Sequence, residues 1–246
     1  VKRHSLIWTG VLLCSVLLTG CNLPSNTTLL TQQAVQRQPD PTGAQKVMAA
    51  FQQMSDVSTY QLKANIQVAS GRFVRTVSFY GSVRLPNSLY MDETIGGANY
   101  MVYQDGSFAY QNSSGRWRPM QPITNLTPWT SMANLLIKDP PKVVYKLPDQ
   151  TLISWYCKIY QFRTTATGAL MGAPGSTAAH SIPHQALYTV WVDAHSGKLR
   201  QIEVQSTVGV PGLGTASIDA TQLYFGRNGT VNMTAPSDLV TQIERP

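Results

Sequence analysis

The sequence has 246 residues, with 19 Lys and Arg against 12 Asp and Glu and a formal net charge of +7. Its basic residues are scattered rather than gathered into a run, so nucleic acid is not an expected partner, and the positive balance suits an anionic membrane surface instead.

Lys2 and Arg3 form a positive n-region, and the stretch from Leu6 to Leu18 is apolar, within the roughly 7 to 15 residues of a secretory h-region and short of the ~20 that span a bilayer. Leu18-Thr19-Gly20-Cys21 resembles the bacterial lipobox. The resemblance implies that residues 1–20 are a lipoprotein signal peptide. It also implies that the Cys21 thiol takes a diacylglyceryl group, with palmitate among the acyl chains. The mature protein would then be held on the extracytoplasmic face of the cell membrane. Each buried methylene contributes ~0.8 kcal/mol, so two chains hold a protein far better than one. The alternative is a plain signal peptide with a coincidental Cys. Cys14 would leave with the signal and Cys21 would carry lipid, so Cys157 would stand alone and no intramolecular disulfide is expected.

Residues 21–43 are rich in Asn, Thr, Gln, Ser and Pro and have little to bury, which predicts a flexible tether. The rest, 44–246, reads as one domain. Val47, Phe51 and Met54 recur at i, i+4 and i+7 and predict an amphipathic helix from Ala44 to about Asp56. Alternation then takes over. Tyr60, Leu62, Ala64, Ile66 and Val68 share one face of a first strand, and Phe73, Val77, Phe79, Val83 and Leu85 one face of a long second strand, joined through Ser70-Gly71 with one wet face each. Leu89–Thr94, Tyr100–Gln104 and a strand after the Asp105-Gly106 turn continue a meander. Thr127-Pro128 predicts the start of a short helix carrying Trp129, Met132, Leu135 and Leu136, and Pro140-Pro141 its end. Strands resume at 143–147, 153–163, 187–193, 199–207 and 216–225, with a loop of Gly, Ala, Thr, Ser and Pro at 164–185.

Helix, hairpin, meander, inserted helix and further meander behind a lipobox resemble the LolA/LppX-type lipoprotein carrier superfamily. The residues that carry the likeness are the Val47/Phe51/Met54 helix, Gly81 to Tyr90, Tyr103-Gln104-Asp105-Gly106, and Trp191-Val192-Asp193 followed by Ser196 to Leu199. The resemblance implies an α+β fold: a curved antiparallel sheet, or incomplete barrel, with an N-terminal helix and a short inserted helix over its concave face. It implies space there for a lipid, acyl chain or other hydrophobic ligand. The inserted helix, with Trp129, Met132, Leu135 and Leu136, is either a lid that meets Phe73, Val77 and Phe79 across a ligand or a helix packed on its sheet. The alternative function is a regulatory or interaction module at the cell envelope that binds a protein partner on the same scaffold, as the RseB-type sensors do.

His180 and His184 have metal-ligand spacing for a helix, but Pro183 and the surrounding Gly, Ala and Ser argue against one. Gly209 to Gly214 lacks the helix and the Lys-Ser/Thr pair of a phosphate loop, no Gly-x-Ser-x-Gly elbow occurs, and Asp92 and Glu93 fall on opposite faces of a strand. The expectation is a protein that is not an enzyme, with no cofactor and no metal.

Overall fold

A computed structural model describes residues 37–164, 182–183, 186–210 and 214–244. Cys21, most of the tether stretch and nearly all of the 164–185 loop lie outside them.

Asp40 launches the first helix. Its carboxylate accepts from the Thr42 N–H at 2.9 Å and the Thr42 hydroxyl at 2.8 Å, and its other oxygen pairs with Lys46 Nζ at 2.8 Å. This local turn feeds α1, Gly43–Gln52. A Cβ at Gly43 would lie 2.7 Å from Val144 Cγ1, so the helix start approaches the sheet too closely for any side chain. Val47, Ala50, Phe51 and Met54 are at most 1% exposed, as their spacing requires.

Among the described residues thirteen strands form a single antiparallel sheet. The first half of the chain gives β1 (Gln38–Pro39), β2 (Thr59–Ser70), β3 (Phe73–Arg84), β4 (Ser88–Ile95), β5 (Ala98–Asp105), β6 (Phe108–Ser113) and β7 (Arg116–Pro119). After α2, Pro128–Lys138, come β8 (Val144–Leu152), β9 (Trp155–Thr164), β10 (Ile182–Pro183), β11 (Ala186–Asp193), β12 (Leu199–Val210) and β13 (Gly214–Phe225), and then α3, Ser237–Glu244. The order is β1-β8-β9-β11-β12-β13-β2-β3-β4-β5-β6-β7, with β10 beside β12. Two meanders are thus joined by the β13–β2 pair, which runs from Ser217↔Ala69 to Phe225↔Gln61. The path does not close, so the sheet is an incomplete barrel with an edge at β7.

Both α1 and α2 lie on one face of this sheet. Val47, Phe51, Trp129, Met132 and Leu136 share one buried cluster with Tyr60, Phe79, Leu89, Phe162, Tyr188 and Tyr224. Where β3 passes β4, a Cβ at Gly81 would sit 2.3 Å from the Tyr90 carbonyl oxygen and 2.6 Å from Met91 Cα, so only glycine fits that close approach.

Three features stand outside the expectations from the sequence. The predicted apolar face of the second strand is buried only in its later half. Phe79 and Val83 are 6% and 1% exposed, Val77 is half-buried, and Phe73 is 82% exposed because β2 and β3 run on past the helices. Strands β9 and β11 have no wet face along most of their length. Tyr160, Phe162, Tyr188 and Val190 belong to the helix-side core, while Ile159, Trp191 and Cys157, which alternation puts on the other face, are also fully buried. The third is a late helix that the sequence did not signal: β5, β7 and α3 form a small second core of Tyr103, Trp117 and Leu239.

A strapped apolar groove on the concave face

Between β7 and α2 the chain crosses the open face of β2, β3 and β4 as an extended strap. Polar side chains pin it at both ends. Gln104, 1% exposed on β5, accepts from the Ile123 N–H at 2.7 Å and donates Nε2 to the Ile123 carbonyl at 3.1 Å and the Asn87 carbonyl at 3.0 Å. A buried glutamine so matched acts as a surrogate strand for the strap. At the far end the Tyr60 hydroxyl donates to the Leu126 carbonyl at 2.8 Å in a buried bond, and burial pushes the Tyr60 phenol above its ordinary pKa. The Tyr60 ring meets Trp129 edge-on at 5.0 Å and Tyr224 at 6.0 Å, and Trp129 meets Tyr224 edge-on at 5.7 Å. That aromatic triad locks the first turn of α2 onto β2 and β13.

Beneath the strap lies a narrow groove, partly open to solvent. Its floor is Tyr60, Leu62, Ala64 and Ile66 from β2, Phe79 and Val83 from β3, and Leu89 and Met91 from β4; Ile123, Leu126 and Pro128 form the roof. Asn125 and Gln222 supply the polar wall. Gln222 Oε1 already accepts from the Tyr224 hydroxyl at 2.7 Å. A slot with apolar walls and few polar groups takes an apolar chain and offers little to a charged substrate.

The sequence-predicted site residues divide around this groove. Phe79 lines it. Val77 packs half-buried against the main core beside it, and Phe73 stands in solvent at the hairpin tip. Trp129, Met132 and Leu136 are 1%, 0% and 1% exposed in the core and do not line the groove, so α2 acts as packing and the strap before it as cover. The side chain of Leu135, like Cys21, lies outside what is described. Alternation alone had placed Leu62, Ala64 and Ile66 on the right face of β2. The strap residues had no periodic signal at all.

Elsewhere, burial pushes the Cys157 thiol up to about 11, with the Asp193 carboxylate adding to it, so it stays protonated and unreactive. Burial raises Asp193 too, but the Arg200 guanidinium and the N–H groups of Ser196 and His195 outweigh it and hold the carboxyl at about 2. Among the described residues no group of three His, Cys, Asp or Glu is placed to hold a metal ion, and no helix is long and apolar enough to cross a membrane.

No known family profile matches the sequence, and no curated protein does. Solved structures similar to the chain include LprF from Mycobacterium bovis, at 8% identity and a TM-score of 0.55, over 80% of this chain and 98% of that one. The Pseudomonas aeruginosa MucA/MucB complex aligns at 7% identity and 0.35 over 80% of this chain and 62% of that one, and a LolA superfamily protein from Nitrosomonas europaea at 10% and 0.27 over 74% and 93%. The last two superpose too loosely to bear on the fold. The LprF alignment spans nearly the whole of that protein, and the described chain shares its fold.

Proposed function

We propose that the protein is a non-enzymatic carrier or binding protein for a hydrophobic ligand at the cell envelope, and that an acyl chain lies in the groove beneath the Ile123–Pro128 strap. The observation that supports this reading is the groove itself: an apolar slot in the domain, roofed by a segment that two hydrogen-bonding side chains hold in place. Residues 1–20 are then a signal peptide, Cys21 the lipidated first residue of the mature chain, and the stretch between Cys21 and β1 a tether. In this arrangement the anchor holds the domain near the bilayer, and the groove takes its ligand from there or delivers it.

Two experiments test this. The protein purified from a membrane-containing host should yield an acyl-bearing molecule on organic extraction, in addition to the lipid on Cys21. A clean protein that instead retains a bound polypeptide would favour the interaction module. Cys21→Ser should leave unprocessed precursor or a soluble product; a processed, acylated Ser variant would remove the anchor from this reading.

A further inference from the structure

The groove is not the largest cavity. A second, of about 1210 Å³ counting its open part, lies at the corner of the sheet where β9 ends and β8 and β11 begin, and no residue lines both. Register explains its position. Val144 pairs with Phe162 and Leu187 with Arg163, so Val143, Phe162 and Leu187 gather at the corner, while Asp139-Pro140-Pro141-Lys142 crosses in front after α2 ends at Lys138. The two prolines keep that crossing from continuing the helix.

Its chemistry differs from that of the groove. Arg37, Lys142 and Arg163 stand around it, against a single carboxylate, Asp139. All three cations are exposed, and no ion pair among the described residues includes any of them. Three cations against one carboxylate around a cavity make a local excess of positive charge. Deeper in, the wall holds hydrogen-bonding capacity that the protein leaves unused: Gln161 Oε1 and Thr164 Oγ1 are buried without a partner, although Gln161 Nε2 donates to Thr189 Oγ1 at 3.2 Å. The apolar part of the wall that a ligand could reach is Val143, which is exposed, and Leu187, which is half-buried.

We propose that this corner cavity is a second ligand site, for a phosphate-bearing amphiphile whose anionic head is held by Arg37, Lys142 and Arg163 while its first methylenes rest on Val143 and Leu187. Guanidinium and ammonium groups match a phosphate dianion in charge and donor geometry. A concave apolar wall fits a narrow chain better than an acidic polypeptide, which would lie across exposed cations without entering. The site does not depend on the groove, and its charge selects a class of ligand that the groove has no means to select.

The test uses the full chain in net-neutral phosphatidylcholine nanodiscs, titrated by calorimetry with octyl phosphate, octanol and inorganic phosphate, with empty nanodiscs subtracted. Octyl phosphate should bind about tenfold tighter than octanol or more, as expected of hydrogen bonds to charged groups. Added salt should shrink that preference, and Lys142→Glu combined with Arg163→Glu should abolish it. Both positions are exposed, so the variant should keep its circular dichroism. Ala64→Trp, which fills the groove, should leave the preference intact, so this site can stand or fall separately from the groove. Equal affinity for octyl phosphate and octanol, or a preference that survives the double charge reversal, overturns the proposal. Inorganic phosphate binding as tightly as octyl phosphate also overturns it, because the site would then take a free anion.

Discussion

Gln242 hydrogen-bonds the main chain of Trp117 in both directions: its Oε1 accepts from the Trp117 N–H at 2.9 Å and its Nε2 donates to the Trp117 carbonyl at 2.7 Å. The side-chain amide thus stands where the next strand would be, beside the last strand of the sheet. Asp238 completes the contact by accepting from Trp117 Nε1 at 2.8 Å, from the first turn of α3, where a negative charge suits the helix dipole. An unpaired strand edge is a template for unwanted pairing, and α3 blunts this one.

Gln242→Ala should therefore unpair the β7 edge without touching the groove. The expected cost is about 1 to 2 kcal/mol for two lost hydrogen bonds, with faster hydrogen exchange at the Trp117 amide. If that amide exchanges at the parent rate, α3 does not protect the edge.

Tyr60→Phe keeps the ring in its aromatic triad and removes the hydroxyl that holds Leu126. A loss of about 1 kcal/mol in denaturant unfolding is expected, with faster exchange confined to the strap between Ile123 and Pro128. Exchange that rises throughout β2 instead would mean that the hydroxyl supports the strand and not the strap.

Glu203 makes stability depend on pH. Burial, with the Asp219 carboxylate adding and the Gln201 amide opposing, pushes its carboxyl up to about 7 from an ordinary 4.5. Between these values the native state holds the proton that the unfolded state has already released. Stability should therefore fall as pH rises from 4.5 to about 7 and change no further above it, by up to about 3 kcal/mol for a shift of this size. Glu203→Gln should flatten the profile across that window. A parent protein whose stability rises over the same range would contradict the assignment.

Much of the fold was legible because most elements repeat a pattern long enough to read. The Val47/Phe51/Met54 spacing and the even residues of β2 each name one face, and the burial of both follows from it. Alternation says nothing about where a core stops, so Phe73 looked equivalent to Phe79 although β3 outruns the helices that cover it. Short elements gave too few periods. In β7 only Trp117 is buried, and in α3 only Leu239. The candidate site was harder still. Its roof, Ile123 to Pro128, has no period, and what holds it is Gln104 and Tyr60, both distant in sequence. A buried glutamine on a strand is the kind of signal that gains meaning only once its partners are in view. The apolar residues of α2 are large and fall at helical spacing, yet Trp129, Met132 and Leu136 serve the core.

The groove can be tested through Ala64, whose small side chain, 3% exposed, forms part of the floor. Ala64→Trp should fill the slot, whereas Leu136→Trp should overpack the helix–sheet core at about 1 to 3 kcal/mol and leave the slot open. Native mass spectrometry of the parent and both variants, each purified from the same membrane-containing host, measures ligand occupancy directly. An acyl-bearing ligand on the parent and on Leu136→Trp, and its absence from a folded Ala64→Trp, is the expected result. Undiminished occupancy in Ala64→Trp, or a parent protein free of ligand, would show that the strapped groove is not a binding site.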